Sequence, residues 1–135
     1  MSELAERLRE RTLAYGLRIL AFCQRLPDRW EARELGRQLL RAGMGVTGNY
    51  RSACRGRSDR EFVAKLGVAV DEADESVLWL TVIARGGIRD DAEAKYLLAE
   101  GGELRAILSR SHKTARENRK RKKAAKNQLT KSPTH

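Results

Sequence analysis

The residues that usually perform catalysis are scarce in this chain. His112 and His135 are the only two histidines, and neither has a cysteine or an acid at a spacing typical of a catalytic triad or dyad. Four acids lie together in residues 71–75 (DEADE), but a di-metal site in a helical bundle uses Glu-x-x-His pairs, and the sequence contains none. We therefore expect no catalytic residues, no metal site and no cofactor.

Basic residues are concentrated at the C-terminal end. The formal net charge is +10, and residues 113–135 hold nine bases against one acid. Such a run repels itself, so the sequence predicts a solvated, disordered tail, helical only as an extension of the last helix. One alternative is a tail that serves solubility alone. The other is a polycation that binds nucleic acid by releasing its counterions.

A second group of bases lies near residue 55 and could add a contact from the folded part. We predict backbone-directed, salt-sensitive binding of RNA or DNA, because few aromatic residues are available for reading bases. A membrane-surface role is less favoured, since the tail offers only Leu129 as a bulky apolar residue. The predicted nucleic-acid-binding residues are Arg51, Arg55, Arg57, Arg60, Lys113, Arg116, Arg119, Lys120, Arg121, Lys122, Lys123 and Lys126.

Apolar residues recur at helical spacing in four segments separated by short breaks. The first segment spans residues 4–26 and ends at Pro27; the third ends at Gly86–Gly87. Capping boxes are predicted to open the other three helices at Asp28, Ser58 and Asp90. Since short connections make neighbouring helices antiparallel, the sequence predicts an all-α, up-down-up-down four-helix bundle over residues 1–112, followed by the tail of residues 113–135.

The second helix contains an unusual number of glycines. Its apolar spacing runs through them without interruption, although each glycine costs about 1 kcal/mol against alanine inside a helix. A close approach of another helix backbone would explain them, and loosening of the helix is the alternative. We expect close helix packing at Gly43, Gly45 and Gly48, with Asn49 bonded to a backbone group there.

Two further features concern surfaces between helices or subunits. Arginines at four-residue steps on the second helix are expected to pair with the acids of residues 71–75.

The third helix reads VLWLTVI over residues 77–83 and is apolar almost all round, so its outer side is expected to be buried as well. We predict a homo-oligomer with Leu78, Trp79, Val82 and Ile83 in or beside the contact; a thick core is the alternative.

Cellular location is suggested by what the sequence lacks. Cys23 and Cys54 have no CxxC motif and no nearby histidine, which favours two buried, reduced thiols. No apolar run is long enough to cross a membrane, and residues 1–26 alternate acids with arginines, unlike a signal peptide. We expect a cytoplasmic protein with no membrane partner.

The order of these features resembles the four-helix-bundle family of 23S rRNA intervening-sequence proteins. The resembling stretches are RELGRQLLRAGMGVTGNYRSACRGRS and EFVAKLGVAVDEADESVLWL, and the likeness covers about residues 7–110. The resemblance implies a small bacterial protein that assembles as a ring, a pentamer. That family is similar in fold to the accessory variability determinant of diversity-generating retroelements, a basic pentamer that works with nucleic acid and a reverse transcriptase.

Two classes of function follow from the residues and the resemblance together. The first is a non-enzymatic, nucleic-acid-binding homo-oligomer whose tails act together. The second is a protein-interaction scaffold or accessory subunit that docks a partner such as a reverse transcriptase, with the tail incidental. The natural target, the ring size and the biological process are not encoded in any motif of the chain.

Overall fold

Four helices account for nearly all of the chain. The structure, a computed structural model, describes residues 2–131. Within that range the helices are α1 (Glu3–Gln24), α2 (Trp30–Cys54), α3 (Asp59–Arg85) and α4 (Ala92–Thr130), and there is no strand. Each helix packs against the next along the chain, and α1 also contacts α4. The predicted all-α, antiparallel four-helix bundle is confirmed.

The capping residue of α3 was predicted correctly and that of α2 was not. The Ser58 hydroxyl accepts a hydrogen bond from the Glu61 backbone N–H at 3.1 Å, as a capping residue does. Before α2 the chain makes a tight turn, and Arg29 occupies the capping position without a side-chain bond. Asp28 thus lies one residue outside the helix and instead accepts a hydrogen bond from Arg33 at 2.5 Å.

The helix start before α4 is displaced by one residue from the prediction. The carboxylate of Asp91, not that of Asp90, accepts a hydrogen bond from the Ala94 backbone N–H at 3.0 Å. Two consecutive aspartates offer the same cap chemistry, and the sequence pattern does not decide between them. At the other end of this connection, Gly87 has φ +72°, the left-handed conformation that a helix C-terminus commonly requires of glycine.

The core contains the inner faces of all four helices. The predicted apolar stripes lie on those faces, and Tyr15, Ser76 and Ile83 are buried with them. The Ser76 hydroxyl donates to the Ala73 carbonyl at 2.7 Å, so the Tyr15 hydroxyl, 2.8 Å from the Ser76 oxygen, must donate to it. Both buried hydroxyls are therefore hydrogen-bonded, as a buried polar pair requires.

Helices α1 and α2 approach closely where α2 has a glycine. A Cβ added to Gly43 would lie 2.7 Å from Cδ1 of the buried Ile19. Opposite, a Cβ on Gly16 would lie 2.6 Å from the hydroxyl oxygen of Thr47. That hydroxyl donates to the backbone carbonyl of Thr12 at 2.8 Å, so the two backbones are joined at the crossing. The close packing predicted at Gly43 is present.

The other three predicted positions on α2, Gly45, Gly48 and Asn49, do not lie at the contact with α1. Gly45 faces α3, where a Cβ would collide with the Glu72 carboxylate. Gly48 has nothing within 4 Å of the position a Cβ would take, so close packing was wrongly predicted there. The Asn49 amide donates to the Gly45 carbonyl at 2.9 Å, which is a bond within its own helix and not across a contact.

The basic C-terminal segment continues α4, as the sequence prediction allowed when it described the tail as helical only as an extension of the last helix. Helix α4 runs without a break through residues 113–130, which we call the α4 extension. No proline or glycine interrupts these residues, and alanine, lysine, arginine and glutamine are good helix formers. Helical propensity here outweighs the repulsion among the charges. The final residues of the predicted tail, 132–135, lie outside the described range, and His135 with them.

Candidate nucleic-acid interface

The antiparallel arrangement places the two predicted basic segments at the same end of the bundle. Helix α2 ends at Cys54 and α3 begins at Asp59, so the arginines between residues 51 and 60 flank this turn. Because α4 runs antiparallel to α3, its extension passes beside the start of α3. We call this region the cationic end. It comprises Arg51, Arg55, Arg57, Arg60, Lys113, Arg116, Arg119, Lys120, Arg121, Lys122, Lys123 and Lys126.

Three contacts hold the C-terminal half of α4, from His112 onward, against the rest of the bundle. The His112 imidazole packs over Gly67, where a Cβ would lie 3.0 Å from its Nε2. Ala115 is half-buried against the core. The Lys122 ammonium donates to the Asp59 carboxylate at 2.9 Å. Residues 123–130 follow the level of Asp59, so they project about 12 Å beyond the bundle at 1.5 Å per residue.

The bases of the cationic end are almost all without a carboxylate partner. Within residues 2–131, Lys122 is the single member that forms an ion pair. Every member is exposed except Arg119, which is half-buried. The members that form no ion pair in the described part of the chain are Arg51, Arg55, Arg57, Arg60, Lys113, Arg116, Arg119, Lys120, Arg121, Lys123 and Lys126. A set of mobile cations with no internal counter-charge is suited to binding an external polyanion.

Several arginines elsewhere in the bundle form ion pairs that join two helices. Arg18 pairs with Glu93 at 2.7 Å, joining α1 to α4, and this contact lowers the pKa of the Glu93 carboxyl. Arg105 pairs with Asp74 at 2.8 Å, joining α4 to α3. The acids of residues 71–75 were predicted to pair with arginines of α2, but Asp74 is bonded to α4 instead.

Two members of the acidic cluster, Glu72 and Glu75, line a small cavity beside α2 together with Arg41, but neither makes an ion pair in the described chain. The Glu72 side chain lies over Gly45. Burial raises the pKa of the Glu72 carboxyl, and the nearby charge of Glu75 acts in the same direction. The shift reflects packing between α2 and α3 and not a metal site; no cluster of potential metal ligands occurs within residues 2–131.

A groove opens at the cationic end that no sequence pattern indicated. It has a volume of about 850 Å³ and lies between the first turns of α1 and the α4 extension, with the start of α3 behind it. Helices α1 and α4 are joined by Arg11, which bonds Glu100 at 2.6 Å and Glu103 at 2.8 Å. The α4 extension continues well past this contact, where α1 no longer covers it. The signal for the groove is the difference between the 39 residues of α4 and the 22 of α1.

The four residues predicted for the oligomer contact differ in their exposure to solvent. Leu78 is 51% exposed and Val82 37%, so both are available to a second chain. Trp79 is half-buried against the core, and its indole N–H is buried without a hydrogen-bond partner in the described chain. Ile83 is fully buried inside the single chain, so its side chain is not available to a second chain. A seven-residue apolar run does not reveal which side chain points inward.

Another apolar surface lies on the outer side of α1 and α2. Leu13 is 43% exposed and Leu17 is 55% exposed, and Met44 of α2 reaches the Gly16 position beside them. Leu13 and Leu17 are four residues apart and lie outside the buried face of α1. Exposed apolar patches of this kind are typical of interaction surfaces.

The thiols have no catalytic surroundings. Cys23 and Cys54 are free and half-buried. The Cys23 thiol donates to the Gly36 carbonyl at 3.4 Å, and burial raises the pKa of Cys23 to about 11. A raised pKa keeps the thiol protonated and unreactive near neutral pH.

None of the helices in residues 2–131 combines the length and apolarity needed to span a bilayer.

The fold and the cationic end together define a small four-helix-bundle protein with an extended basic last helix. The sequence profile of the 23S rRNA-intervening sequence protein family matches residues 7–110, and the chain belongs to that family. The matched region ends before the α4 extension.

The fold also has a solved relative. The fold of this chain is similar to the crystal structure of a protein with unknown function from the S23 ribosomal protein family of Bacteroides thetaiotaomicron, with a TM-score of 0.75 and 23% sequence identity. The similarity covers 81% of this chain and 97% of that one. No curated protein matches the chain.

Proposed function

We propose that this protein is a non-enzymatic, cytoplasmic nucleic-acid-binding protein. It binds RNA or DNA through the phosphate backbone, using the cationic end. The proposal is carried by eleven bases that form no ion pair within residues 2–131 and that come together from two separate sequence segments, beside the Lys122–Asp59 contact. Each phosphate contact releases counterions, so affinity falls steeply as salt rises.

The α4 extension supports this function as a helix. Five of its bases are consecutive, Arg119 to Lys123, and a helix distributes five consecutive residues around its whole circumference. Phosphates can then be met from several sides without a defined base sequence. A helical extension also loses less conformational freedom on binding than a disordered tail would.

We further propose that the protein acts as a homo-oligomer, a pentamer as its family resemblance implies. The exposed Leu78 and Val82 supply apolar surface for the subunit contact. An oligomer presents several cationic ends to one nucleic acid, and the linked contacts raise the overall affinity far above that of one chain.

A second candidate function is a scaffold for a protein partner, such as a reverse transcriptase. The apolar surface at Leu13, Leu17 and Met44 favours it, since that surface lies on α1 and α2 away from the α3 positions proposed for self-association. Under this alternative, partner binding would be insensitive to salt and to the charges of the cationic end.

The test compares two triple variants that lower the net charge equally. In the first, Lys120, Lys123 and Lys126 of the α4 extension become glutamine. In the second, Arg25, Arg85 and Lys95 become glutamine; these are exposed bases at the opposite end, and none forms an ion pair in the described chain. Glutamine keeps high helix propensity, so both variants should fold.

Binding of a mixed-sequence RNA is measured by fluorescence anisotropy over a salt titration. We expect the first variant to bind about tenfold more weakly or worse and to lose about 2–3 units of the slope of log affinity against log salt. The second variant should bind nearly as the parent does. Equal losses in both would show that net charge alone acts, and absence of salt-dependent binding by the parent would refute the proposal.

A further inference from the structure

The groove at the cationic end has an apolar floor. Leu8 is 4% exposed and is its deepest side chain, and Phe62, Val63, Ile107 and Ala115 are half-buried around it. At about 850 Å³ the groove falls within the range of roughly 300–1,000 Å³ that small-molecule ligands occupy. A ligand that fills a groove with an apolar floor of this size needs apolar surfaces of its own.

The wall of the groove on α4 is polar. Ser111, Thr114 and Asn118 line it at steps of three and four residues, on one face of the helix. A purely apolar partner would bury the Ser111 and Thr114 hydroxyls and the Asn118 amide N–H groups without hydrogen-bond partners, which is costly. The Asn118 amide oxygen already accepts a hydrogen bond from Arg121. The occupant therefore needs flat apolar faces together with donors and acceptors at its edges, which is the chemistry of a nucleobase.

The rim of the groove is cationic. Five basic side chains line the groove against one carboxylate, that of Asp59. Arg11 is committed to Glu100 and Glu103, and Lys122 to Asp59. Three guanidinium groups at Arg7, Arg110 and Arg119 form no ion pair within residues 2–131. Guanidinium groups both bind phosphate and stack on bases.

We propose that this groove binds unpaired nucleotides of single-stranded RNA or DNA. The bases lie against the apolar floor, their edges meet Ser111, Thr114 and Asn118, and the phosphates contact the three arginines of the rim. This inference rests on the proposed nucleic-acid-binding function and specifies its substrate. Arg119 belongs both to the groove and to the cationic end, so a strand held on the α4 extension continues directly into the groove.

A groove that binds bases should make the protein bind single strands more tightly than duplexes. Charge alone would give the opposite order. A duplex has the higher charge density and should bind more tightly to a featureless cationic surface. Its bases are stacked and paired, so they cannot enter the groove, and only its phosphates would reach the rim. A preference for single strands therefore reports on the groove and not on net charge.

The experiment uses the full chain, a short oligo(dT) strand, and the duplex that this strand forms with oligo(dA), at one fixed low salt concentration. Ala115→Leu fills the groove without changing charge. Ala125→Leu is the matched control, the same substitution on an exposed turn of α4 beyond the groove. Thr114→Val with Asn118→Leu is the second test variant, which removes the polar wall with little change in volume and stays valid if Ala115→Leu destabilises the fold.

We expect the parent to bind the single strand more tightly than the duplex. Ala115→Leu and the double variant should weaken single-strand binding about tenfold, the worth of one stacked base, and leave duplex binding unchanged. Ala125→Leu should change neither. Duplex binding that is equal to or tighter than single-strand binding in the parent would overturn the inference while leaving the proposed function intact.

A second result would also overturn it. If an acidic amphipathic peptide binds the parent protein, is excluded by Ala115→Leu, and does not compete with oligo(dT), the groove is a protein-docking surface. Failure of the proposed function is distinguishable from both results, because the parent would then bind neither the single strand nor the duplex at low salt.

Discussion

The ammonium of Lys122 lies 2.9 Å from the carboxylate of Asp59, so α4 is fixed beside the first residue of α3. Both side chains are largely exposed, at 71% and 57%, so the pair contributes little stability, at most about 1 kcal/mol. Its main effects are to orient the α4 extension and to neutralise one base of the cationic end.

Releasing Lys122 from this pair should strengthen nucleic-acid binding. We expect Asp59→Asn to raise the affinity for RNA and to steepen the salt dependence by about 0.7–0.9 units, the share of one additional phosphate contact. Asp71→Asn is the matched control, because it removes an exposed acid from the middle of α3 with the same change in net charge. An equal gain in both variants, measured by anisotropy across a salt titration, would assign the effect to net charge alone.

Two glycines of α2 should respond oppositely to alanine. Gly43→Ala places a Cβ against the fully buried Ile19, whose Cγ2 and Cβ are also close, at 3.1 and 3.4 Å, so a rotation of that side chain gives no relief. We expect a loss of about 1–3 kcal/mol from overpacking. Gly48→Ala meets open space in the middle of a helix and should gain about 1 kcal/mol from helix propensity.

Urea unfolding monitored by circular dichroism measures both changes. The two variants carry the same substitution five residues apart on one helix, so each serves as the control for the other. A stabilising Gly43→Ala would mean that α1 and α2 are not in close contact at this crossing.

The glycines illustrate what the sequence could and could not predict. Helical periodicity and short connections were sufficient for the four helices and their antiparallel order. They did not distinguish Gly43, at a helix crossing, from Gly48, in open space, because the same apolar pattern continues past both. Which side of a helix meets a neighbour depends on the rotation of that helix about its axis. Periodicity determines that rotation only approximately.

The cationic end was predicted better than the groove beside it. Its bases are recognisable from composition alone, since charge needs no defined geometry to attract a polyanion. The groove depends on where α1 begins relative to α4, and this is a property of three packed helices. The sequence predicted a solvated tail that would be helical only as an extension of the last helix, and residues 113–130 form such an extension.

The exposed apolar residues of α3 should control self-association. Leu78→Glu places a charge on a side chain that is 51% exposed, so the single chain should lose little stability. If Leu78 lies in a subunit contact, the buried charge should dissociate the oligomer. Leu129→Glu is the control, because Leu129 is 76% exposed near the end of α4. Sedimentation velocity gives the masses, and a monomeric parent would refute the oligomer.

Tyr15 should make the stability of the bundle fall at high pH. Burial raises the pKa of the Tyr15 hydroxyl to about 12, against a weaker opposing effect of the hydrogen bond with Ser76. In the unfolded chain the pKa of tyrosine is about 10. The stability that Tyr15 contributes is therefore fully present below pH 10 and is lost as the pH rises from about 10 to 12.

Tyr15→Phe isolates this effect. The variant should lose about 1 kcal/mol at neutral pH, because the Ser76 oxygen loses a donor while keeping its own bond to Ala73. Its free energy of unfolding should then fall less steeply than that of the parent between pH 10 and 12, a difference of about 2–3 kcal/mol over the interval. Tyr96→Phe, at a tyrosine that is 44% exposed, is the control and should leave the slope as it is in the parent. Urea unfolding at stepped pH measures these slopes, and parallel curves for parent and Tyr15→Phe would mean that the Tyr15 hydroxyl is not buried.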